Sequence, residues 1–594
     1  MRGSRIRFAP ESTTCRVCHK TLRVYKTETR TVVTLAYGIF KAQEAVLYCP
    51  DGCQWRDGEQ TVKFYRSELL AQLVAPGHVY GFDVVAKVGL LRFLECRQRQ
   101  EIQAEMEREY GLSIPESTVG DLIHQFVDLM RALHEDKVSV LRTRLEVAGG
   151  YVLHVDGTCE EGSQVHFACL TGTEPIVLWS DRLDSENAVQ IRRVLGEVEN
   201  RFGRPAAVVE DLSSPIRKAV RGQWPGIHIF YCHQHFLTDV GKDILGDAYH
   251  RLRDELRQCE IRSELRRFLK KVYQELGDDH HEARRICQHL EDPDLLRGKG
   301  RSLKGSAIAG GIAEWILAAA ADGGGRLFPY DLPHLTLYLH AQRAREILDR
   351  RILPQLTGHT PRGERRLYRL RGILHTFLEW NGLSRIAGEV HEVNSIFLRL
   401  RAALRLGAAE STHSMKEEDT YRSPEDVRQA EQALEGLKED LHRQSECDVS
   451  PAQRTAIKIV LSHLEKYWDG LFGHFLPLPE ADRYLVVQRT NNLAERFFRG
   501  VKRFGRRTTG KRRLSREVDA FPDQMLLVFN LRTPKYVELI CGSLDRLPGS
   551  FADLARRGKL PRRSRNRTEP VILDRKNRRH PDFPAQATRA FPRS

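Results

Sequence analysis

The sequence predicts a multidomain protein in which a mixed α/β core is interrupted by a large all-helical insertion. Three observations predict it: two closely spaced cysteine pairs near the start, short β-type segments after residue 150, and no strand signal from about 246 to 475. The predicted segments are a zinc ribbon (1–60), a helical region with a helix-turn-helix outline (61–147), the core (148–245 and 479–545), the all-α insertion (246–478) and a flexible basic tail (546–594).

The bulk composition indicates an intracellular protein with a polyanionic partner. The 594 residues are 41% hydrophobic and 29% charged, with a net charge of +15. Excess Lys and Arg favour a nucleic acid, although a merely basic soluble protein stays open at this point. No apolar run is long enough to span a bilayer, and the first residues lack the apolar stretch of a signal peptide. We therefore expect no membrane association and a cytoplasmic location.

Four of the twelve cysteines are clustered in two pairs, Cys15/Cys18 and Cys49/Cys53. Each pair has the spacing of a metal-binding knuckle, and the residues between the pairs alternate as in β-strands. Four unrelated free cysteines would require two coincidences of spacing. The pattern predicts a structural Zn²⁺ bound by four thiolates.

The stretch after residue 97 predicts two helices separated by a sharp turn. An amphipathic segment ends at Gly111, and Pro115, Glu116 and Ser117 then begin a second helix. This is the helix-turn-helix outline, in which the second helix reads DNA, but proteins that bind no DNA contain such helix pairs too. DNA binding by this pair is a hypothesis that the pattern alone leaves open.

Two aspartates follow predicted strands of the α/β core. The order from residue 150 is βββ-α-β-α-β, and Asp156 ends the first strand while Asp211 ends the fourth. Ligands of open α/β sheets bind at the carboxyl ends of strands, so we expect both carboxylates in one crevice. Asp211 could instead cap the following helix, a role for which Ser213 and Ser214 compete.

A helix predicted over 490–504 carries one acid in a very basic run. Helical spacing places Leu493, Phe497, Val501 and Phe504 on one apolar stripe, with Glu495 almost opposite. The alternative is a surface ion pair of Glu495 with the residue four positions on, worth a few tenths of a kcal/mol. The side chains that share the face of Glu495 are Asn491, Arg499 and Lys502.

Two aspartates and a glutamate brought to one place would bind two divalent cations. Carboxylate oxygens suit Mg²⁺ or Mn²⁺, and a pair of such ions catalyses in-line displacement at phosphorus. Asp156, Asp211 and Glu495 are therefore the predicted catalytic and metal-binding residues. The cations predicted to hold the DNA are Arg499, Lys502, Arg503, Arg506, Arg507 and Lys511.

These motifs resemble the DDE transposases of the ribonuclease H-like superfamily, nearest to bacterial insertion-sequence and Mutator-like types with a helical insertion. "YCHQH" resembles the C-x2-H signature of that family, with Cys232 and His235 supporting the core, and "TNNLAERFFRGVK" resembles its glutamate helix. Many bacterial relatives have Tyr and Arg ahead of the glutamate, where this chain has Asn491 and Asn492. The resemblance covers roughly 150–245 and 480–535, and more loosely the N-terminal region.

The resemblance implies further site residues and partners. Trp315 or Trp380 of the insertion would hold a distorted base, although a buried core position is the commoner use of Trp.

Rather than supporting the core, Cys232 could be a thiol nucleophile, or form a zinc site with His233 and His235 that lacks a clear fourth ligand. Double-stranded DNA, as element ends and as target, would be the substrate of a homodimer or larger assembly in the bacterial nucleoid.

Three functions remain open from the sequence. A transposase would hydrolyse a phosphodiester at the element end and use the freed 3′-OH to attack target DNA. A domesticated, non-enzymatic DNA-binding protein would use only the ribbon, helix pair and tail. A ribonuclease H-like nuclease or resolvase would cut without joining.

Overall fold

The chain divides into two compact units. The first unit comprises Met1–Phe230 and Phe475–Ser594, and the second comprises Tyr231–His474. The structure, a computed structural model, describes residues 4–57, 60–160, 163–172, 175–292, 305–321, 327–355, 361–380, 382–406, 421–478, 483–522 and 524–560.

The first unit begins with a small sheet that joins the cysteine pairs. Its path is β1-β3-β2, with β6 also paired to β3, and β4 forms a separate hairpin with β5. The β2–β3 pairing is antiparallel and has an irregularity between Val24 and Lys26. Phe8, Val32 and Phe40 form a core under this sheet. The strands are β1 (Arg5–Phe8), β2 (Arg23–Thr34), β3 (Gly38–Tyr48), β4 (Trp55–Asp57), β5 (Gln60–Val62) and β6 (Phe64–Tyr65).

Five helices follow, and they include the predicted helix pair. They are α1 (Glu68–Leu73), α2 (Phe82–Phe93), α3 (Arg99–Tyr110), α4 (Glu116–Asp136) and α5 (Val138–Val147). Gly111 ends α3 with a φ of 63°, a left-handed conformation that glycine adopts without steric cost. The helix pair predicted around Gly111 is therefore present, and its role in DNA binding stays a prediction.

The main sheet of the first unit has five strands in the order β11-β10-β7-β8-β9. β7, β8 and β9 are antiparallel neighbours, whereas β10 is parallel to β7. This mixed sheet and the predicted βββ-α-β-α-β order agree. The elements are β7 (Val152–Thr158), β8 (Val165–Thr171), β9 (Val177–Leu183), α6 (Ala188–Phe202), β10 (Ala207–Glu210), α7 (Ser214–Gln223) and β11 (His228–Tyr231).

The chain returns to the first unit as a hairpin, a long basic helix and several short helices. Phe504 of the long helix stacks on Phe93 of α2 at 5.3 Å between ring centroids, and Phe93 is 6.0 Å from Phe126 of α4. This aromatic contact ties the basic helix to the N-terminal helices. The elements are β12 (Phe475–Pro477), β13 (Tyr484–Val486), α17 (Asn492–Thr509), α18 (Ser515–Asp519), a 3₁₀ helix (Met525–Arg532), α19 (Pro534–Cys541), a 3₁₀ turn (Leu544–Arg546) and α20 (Leu547–Arg556).

After Tyr231, the last residue of β11, the described residues of the second unit form helices and turns without a strand, as predicted from the loss of strand signals. Its helices bury Leu, Ile and Ala side chains at helical spacing. They are α8 (His233–Gln258), α9 (Ile261–Leu276), α10 (His280–His289), α11 (Gly305–Ala321), α12 (Pro333–Ile347), α13 (Pro361–Leu378), α14 (Leu383–Ala403), α15 (Pro424–Ser445) and α16 (Pro451–Tyr467). Short segments join some of them: Gly277–Asp279, Leu353–Gln355 and Trp468–Gly470 in 3₁₀ conformation and Leu348–Ile352 as a π-helix.

Three boundaries differ from the sequence prediction. The predicted boundary at 245 falls inside α8, and the one at 478 falls within the β12–β13 hairpin. The basic tail predicted over 546–594 is wrong for its first part, because α20 buries Phe551, which packs edge-on against Phe126 at 6.0 Å. Residues 561–594 lie outside the described residues. Among the described helices, none has the length and apolar character that crossing a bilayer requires.

Candidate metal centres

The four predicted zinc ligands lie together in the first unit. The Sγ atoms of Cys15, Cys18, Cys49 and Cys53 are all within 4.8 Å of one another, and Cys18 Sγ is 3.5 Å from Cys49 Sγ. Cys15 and Cys49 are buried with Tyr65 in a small core of their own. Four converging thiols fit a tetrahedral zinc ion, so this cluster could bind a structural zinc.

The acidity of these thiols is uneven. The Tyr65 hydroxyl donates to Cys15 Sγ over 3.5 Å, and this hydrogen bond lowers the pKa of Cys15 to about 6. Hydrogen bonds with Cys49 and Cys18, together with burial, raise the pKa of Cys53 to about 12. A cation shared by the four sulfurs would favour the thiolate form of each, which is how zinc binding releases protons.

Asp156 and Asp211 lie at the ends of two neighbouring parallel strands, β7 and β10. On the parallel strands β7 and β10, each residue of β7 pairs with the residue numbered 55 higher on β10. The pairs are Val152 with Ala207, Leu153 with Val208 and His154 with Val209. The same offset leads from position 156 to position 211, one residue beyond the end of β10. Parallel strands are about 4.8 Å apart and paired residues share a face. Asp156 in β7 and Asp211 directly after β10 therefore lie near the carboxyl ends of two neighbouring parallel strands, and a crevice shared by the two carboxylates stays a prediction.

The turn after β10 settles which residue caps α7. The hydroxyl of Ser213 accepts a hydrogen bond from the backbone N–H of Ile216, so Ser213 rather than Asp211 is the N-cap. Arg217 donates to Glu210 at 3.0 Å and to the carbonyl of Leu212 at 3.1 Å, on either side of Asp211. Burial raises the pKa of Glu210 to about 7 against the opposing effect of Arg217. The turn that carries Asp211 is thus held from both sides.

The chain from β13 to the start of α17 packs against β7. Leu485 and Val487 pack with Val152, and the side chain of Asn491 donates to the carbonyl of Val155 at 3.3 Å. Further on, Lys502 donates to the carbonyl of Cys159 at 3.2 Å. The path therefore crosses the side of the sheet that carries Val152 and, by alternation, Asp156.

Helical geometry places Glu495 between these two contacts. At 100° per residue, Asn491, Glu495 and Lys502 lie within about 40° of one another on the helix. From Asn491 to Glu495 the helix rises about 6 Å, which matches about two residues of a strand. Because Asn491 contacts Val155 of β7 and Lys502 contacts Cys159 just after it, Glu495 lies on the stripe of α17 that faces this part of the chain.

The buried face of α17 is rotated from the predicted stripe. Val501 and Phe504 are buried as predicted, but Ala494 and Phe498 are buried while Leu493 and Phe497 are only half-buried. The predicted alternative pair, Glu495 with Arg499, has a separation of 4.0 Å and an Arg499 side chain that is 67% exposed. At that distance and exposure it contributes little to stability.

Asp156, Asp211 and Glu495 are not gathered as tightly as the cysteines. Among the described residues, no group of metal-ligating side chains within 4.8 Å of one another contains all three acids. All three are half-buried and so reachable from solvent. Their side chains are hard oxygen donors of the kind that Mg²⁺ and Mn²⁺ prefer.

A buried polar network that the sequence analysis did not predict fixes the start of α17. His154 places one ring nitrogen 2.9 Å from Asn491 Oδ1 and the other 2.9 Å from Gln488 Oε1. Gln488 in turn donates to the carbonyl of Gly172 at 2.6 Å. His154 is two residues before Asp156 and on the same strand face, and that spacing is the signal that could have identified it.

The predicted DNA-contacting cations differ in their surroundings. Lys502 forms an ion pair with Glu160 at 3.3 Å, and Arg507 pairs with Glu101 of α3 at 3.0 Å. Lys511 pairs with Glu517. The side chains of Arg499, Arg503 and Arg506 are exposed. Three of the six predicted cations thus form ion pairs with other parts of the first unit.

The remaining predicted residues lie in the second unit. Cys232 is fully buried at the start of α8, and His235 is half-buried in its first turn. His233 is buried with Nε2 2.8 Å from the carbonyl of Leu471. This contact anchors the start of α8 within the helical unit.

Both tryptophans proposed for base contact, Trp315 and Trp380, are half-buried, and base contact stays a prediction. The Trp380 indole donates to Glu255 at 3.1 Å, and the Trp315 ring lies 4.0 Å from that of His340. Both are half-buried and already have partners within the helical unit. The buried tryptophans are Trp179 and Trp224 of the first unit.

No protein-family model matches this chain, and no curated protein is similar to it in sequence.

Proposed function

We propose that this protein is a DNA transposase with a ribonuclease H-like core, which hydrolyses a phosphodiester at element ends and transfers the 3′ end to target DNA. The observation that carries the proposal is that β7, which contains Asp156, pairs in parallel with β10, whose last residue directly precedes Asp211. The βββ-α-β-α-β order of strands and helices that surrounds the two aspartates supports the same interpretation.

Glu495 supplies the third acid of the proposed site. It belongs to the helix stripe whose other members are Asn491, which contacts the backbone of β7 at Val155, and Lys502, which contacts the carbonyl of Cys159 just after β7. Asp156, Asp211 and Glu495 would hold two Mg²⁺ or Mn²⁺ ions, which activate an attacking oxygen and stabilise a leaving oxygen when bound. The protein's own contribution is to hold the three carboxylates on rigid elements and to orient the phosphodiester.

The cations of α17 provide the electrostatic part of the proposal. Arg499, Arg503 and Arg506 are exposed, and together with a net charge of +15 they favour a duplex with closely spaced phosphates. Strand transfer requires two DNA ends held at once, so we expect a homodimer or larger assembly on DNA.

The test is cleavage of a supercoiled plasmid that carries the DNA flanking the gene on both sides, with Mg²⁺ or Mn²⁺. We expect nicked and joined products from the full chain, and a loss on the order of 10³-fold in Asp156→Asn and Glu495→Gln. Asp247→Asn, an exposed aspartate of α8, is the matched control and should cut as wild type does.

The products separate the alternatives. Equal cutting by Asp156→Asn and wild type would refute the proposed site. Nicked DNA without joined ends would favour a nuclease or resolvase. Plasmid binding with no cleavage under either cation would favour a non-enzymatic DNA-binding protein.

A further inference from the structure

The N-terminal sheet exposes aromatic side chains on the face opposite the cysteine cluster. Arg23 pairs with Tyr48 across β2 and β3, and Tyr48 pairs with Phe64 across β3 and β6. Directly paired residues of neighbouring strands share a face. The strand irregularity between Val24 and Lys26 brings Tyr25 to the same rings. We call Tyr25, Tyr48 and Phe64 the aromatic face.

The Tyr25 ring contacts both other rings on the solvent side of the sheet, where Tyr48 and Phe64 are half-buried. The Tyr25 ring is 4.7 Å from Phe64 and 6.1 Å from Tyr48, and Tyr25 is 56% exposed. The residues beside them, Leu47 and Tyr65, point the other way and pack with the cysteines. The aromatic face is therefore not needed for the core of the ribbon. Exposed apolar surface of this kind marks a binding site more often than a structural one.

Cations border the aromatic face. Lys26 Nζ lies 5.9 Å from the centre of the Tyr25 ring, and Lys63 Nζ lies 5.8 Å from that of Phe64. Arg23 is exposed on the same face, while Lys26 also pairs with Glu28 at 2.6 Å. Flat rings for stacking with Lys and Arg at their edges are the two features that bind unpaired nucleotides. A protein partner of neutral apolar surface would leave these charges unmatched.

We infer that the aromatic face binds single-stranded DNA, with bases stacked on Tyr25 and Phe64 and phosphates held by Arg23, Lys26 and Lys63. This goes beyond the proposed transposase activity, because it requires neither the carboxylates nor a divalent cation. Only the choice of DNA over RNA rests on the proposed function. Stacking tolerates any base, so the site would hold an unpaired end regardless of its sequence.

The test is the binding of a fluorescent oligonucleotide of about 15 thymidines to the full chain, without added Mg²⁺. We expect Tyr25→Ala and Phe64→Ala each to weaken binding roughly ten-fold, as loss of one stacked base does. Tyr25→Trp should bind as wild type does, because tryptophan also provides a flat ring for stacking. Tyr368→Ala is the matched control: that tyrosine is 54% exposed on α13.

Zinc content equal to that of wild type shows that the variants keep the ribbon folded. Lys63→Ala should reduce the slope of log affinity against log salt by about 1. Wild-type affinity in the double variant Tyr25→Ala/Phe64→Ala would overturn the inference. The inference would also be overturned if the wild-type protein bound a uridine RNA of equal length more tightly than the thymidine oligonucleotide. An equal loss of affinity for duplex and for single-stranded DNA in the double variant would overturn it as well. Asp156→Asn should bind the thymidine oligonucleotide normally, so failure of the catalytic proposal leaves this one intact.

Discussion

The cysteine cluster and the three carboxylates lie in the same unit but are assembled in opposite ways. The cysteines come from residues 15–53 and two knuckles joined by one β-hairpin, and their sulfurs lie within 4.8 Å of one another. The carboxylates come from positions 156, 211 and 495, on a strand, a turn and a helix. Local spacing can determine the first arrangement. The second depends on contacts between elements that are hundreds of residues apart.

The largest expected effect is on the local arrangement. Cys49→Ser should remove one zinc per chain and unfold the ribbon, because the binding free energy of structural zinc, on the order of 10 kcal/mol, is also folding free energy. Metal analysis and far-ultraviolet circular dichroism would measure this. Cys447→Ser, an exposed cysteine of the helical unit, is the control. Full zinc content in Cys49→Ser would show that the four sulfurs do not act as one site.

The second prediction concerns a long-range contact. His134 of α4 is fully buried, with its ring nitrogens 2.9 Å from the Tyr536 hydroxyl oxygen and 3.0 Å from the carbonyl of Leu178. Burial lowers the pKa of His134 to about 4. Between pH 6.5 and pH 4, His134 binds a proton in the unfolded chain but not in the folded chain. The free energy of unfolding is therefore highest above pH 6.5 and decreases as the pH falls to 4. The loss should reach about 3 kcal/mol.

Chemical denaturation at several pH values would measure this loss, and His134→Gln should flatten the curve between pH 6.5 and 4. A variant that retains the full wild-type pH dependence would assign the effect to other groups. The result would show how strongly a distant pair of elements, α4 and α19, supports the sheet that carries the aspartates.

The third prediction addresses the anchoring of α17. His154→Ala leaves the side-chain oxygens of Asn491 and Gln488 without this partner, which should cost about 2 kcal/mol. Because Glu495 follows one turn later, we also expect a lower kcat for cleavage with little change in KM. Gly172→Ala is a second route, since its added carbon would lie 2.5 Å from Gln488 Oε1.

Thermal unfolding and plasmid cleavage should be measured together for these variants. A purely structural role would lower the unfolding temperature and leave kcat unchanged at a temperature where the protein is folded. His154→Gln, which keeps a polar group, should lie between wild type and His154→Ala.

The smallest effect is expected at the surface pair of α17. Arg499→Ala should change stability by less than about 0.5 kcal/mol, because the pair with Glu495 is long and exposed. If Arg499 contacts DNA, duplex affinity should fall at low salt and recover in relative terms at high salt. A large loss of stability would instead restore the surface-pair interpretation of Glu495.

The sequence predicted elements whose signals are local. The strands around Asp156 and Asp211, the helix break at Gly111 and the four-cysteine cluster all follow from residue patterns within short windows. The misses depend on distant packing. The first part of the predicted tail forms a helix whose Phe551 packs against Phe126, a residue more than 400 positions earlier in the chain. In α17, Phe498 is buried and Phe497 is only half-buried, because contacts with distant elements determine which face of the helix is buried. The role of His154 required knowing that Gln488 and Asn491 return to β7.

The insertion of the second unit between β11 and β12 has a consequence for synthesis on the ribosome. Glu495 is translated 284 residues after Asp211, a delay of roughly 15–60 s at ordinary elongation rates. During that interval the nascent chain contains both aspartates but lacks α17, the helix that carries Glu495. A prematurely released chain would have the same composition. The order of synthesis therefore keeps the proposed nuclease chemistry from any chain that has not been completed through α17.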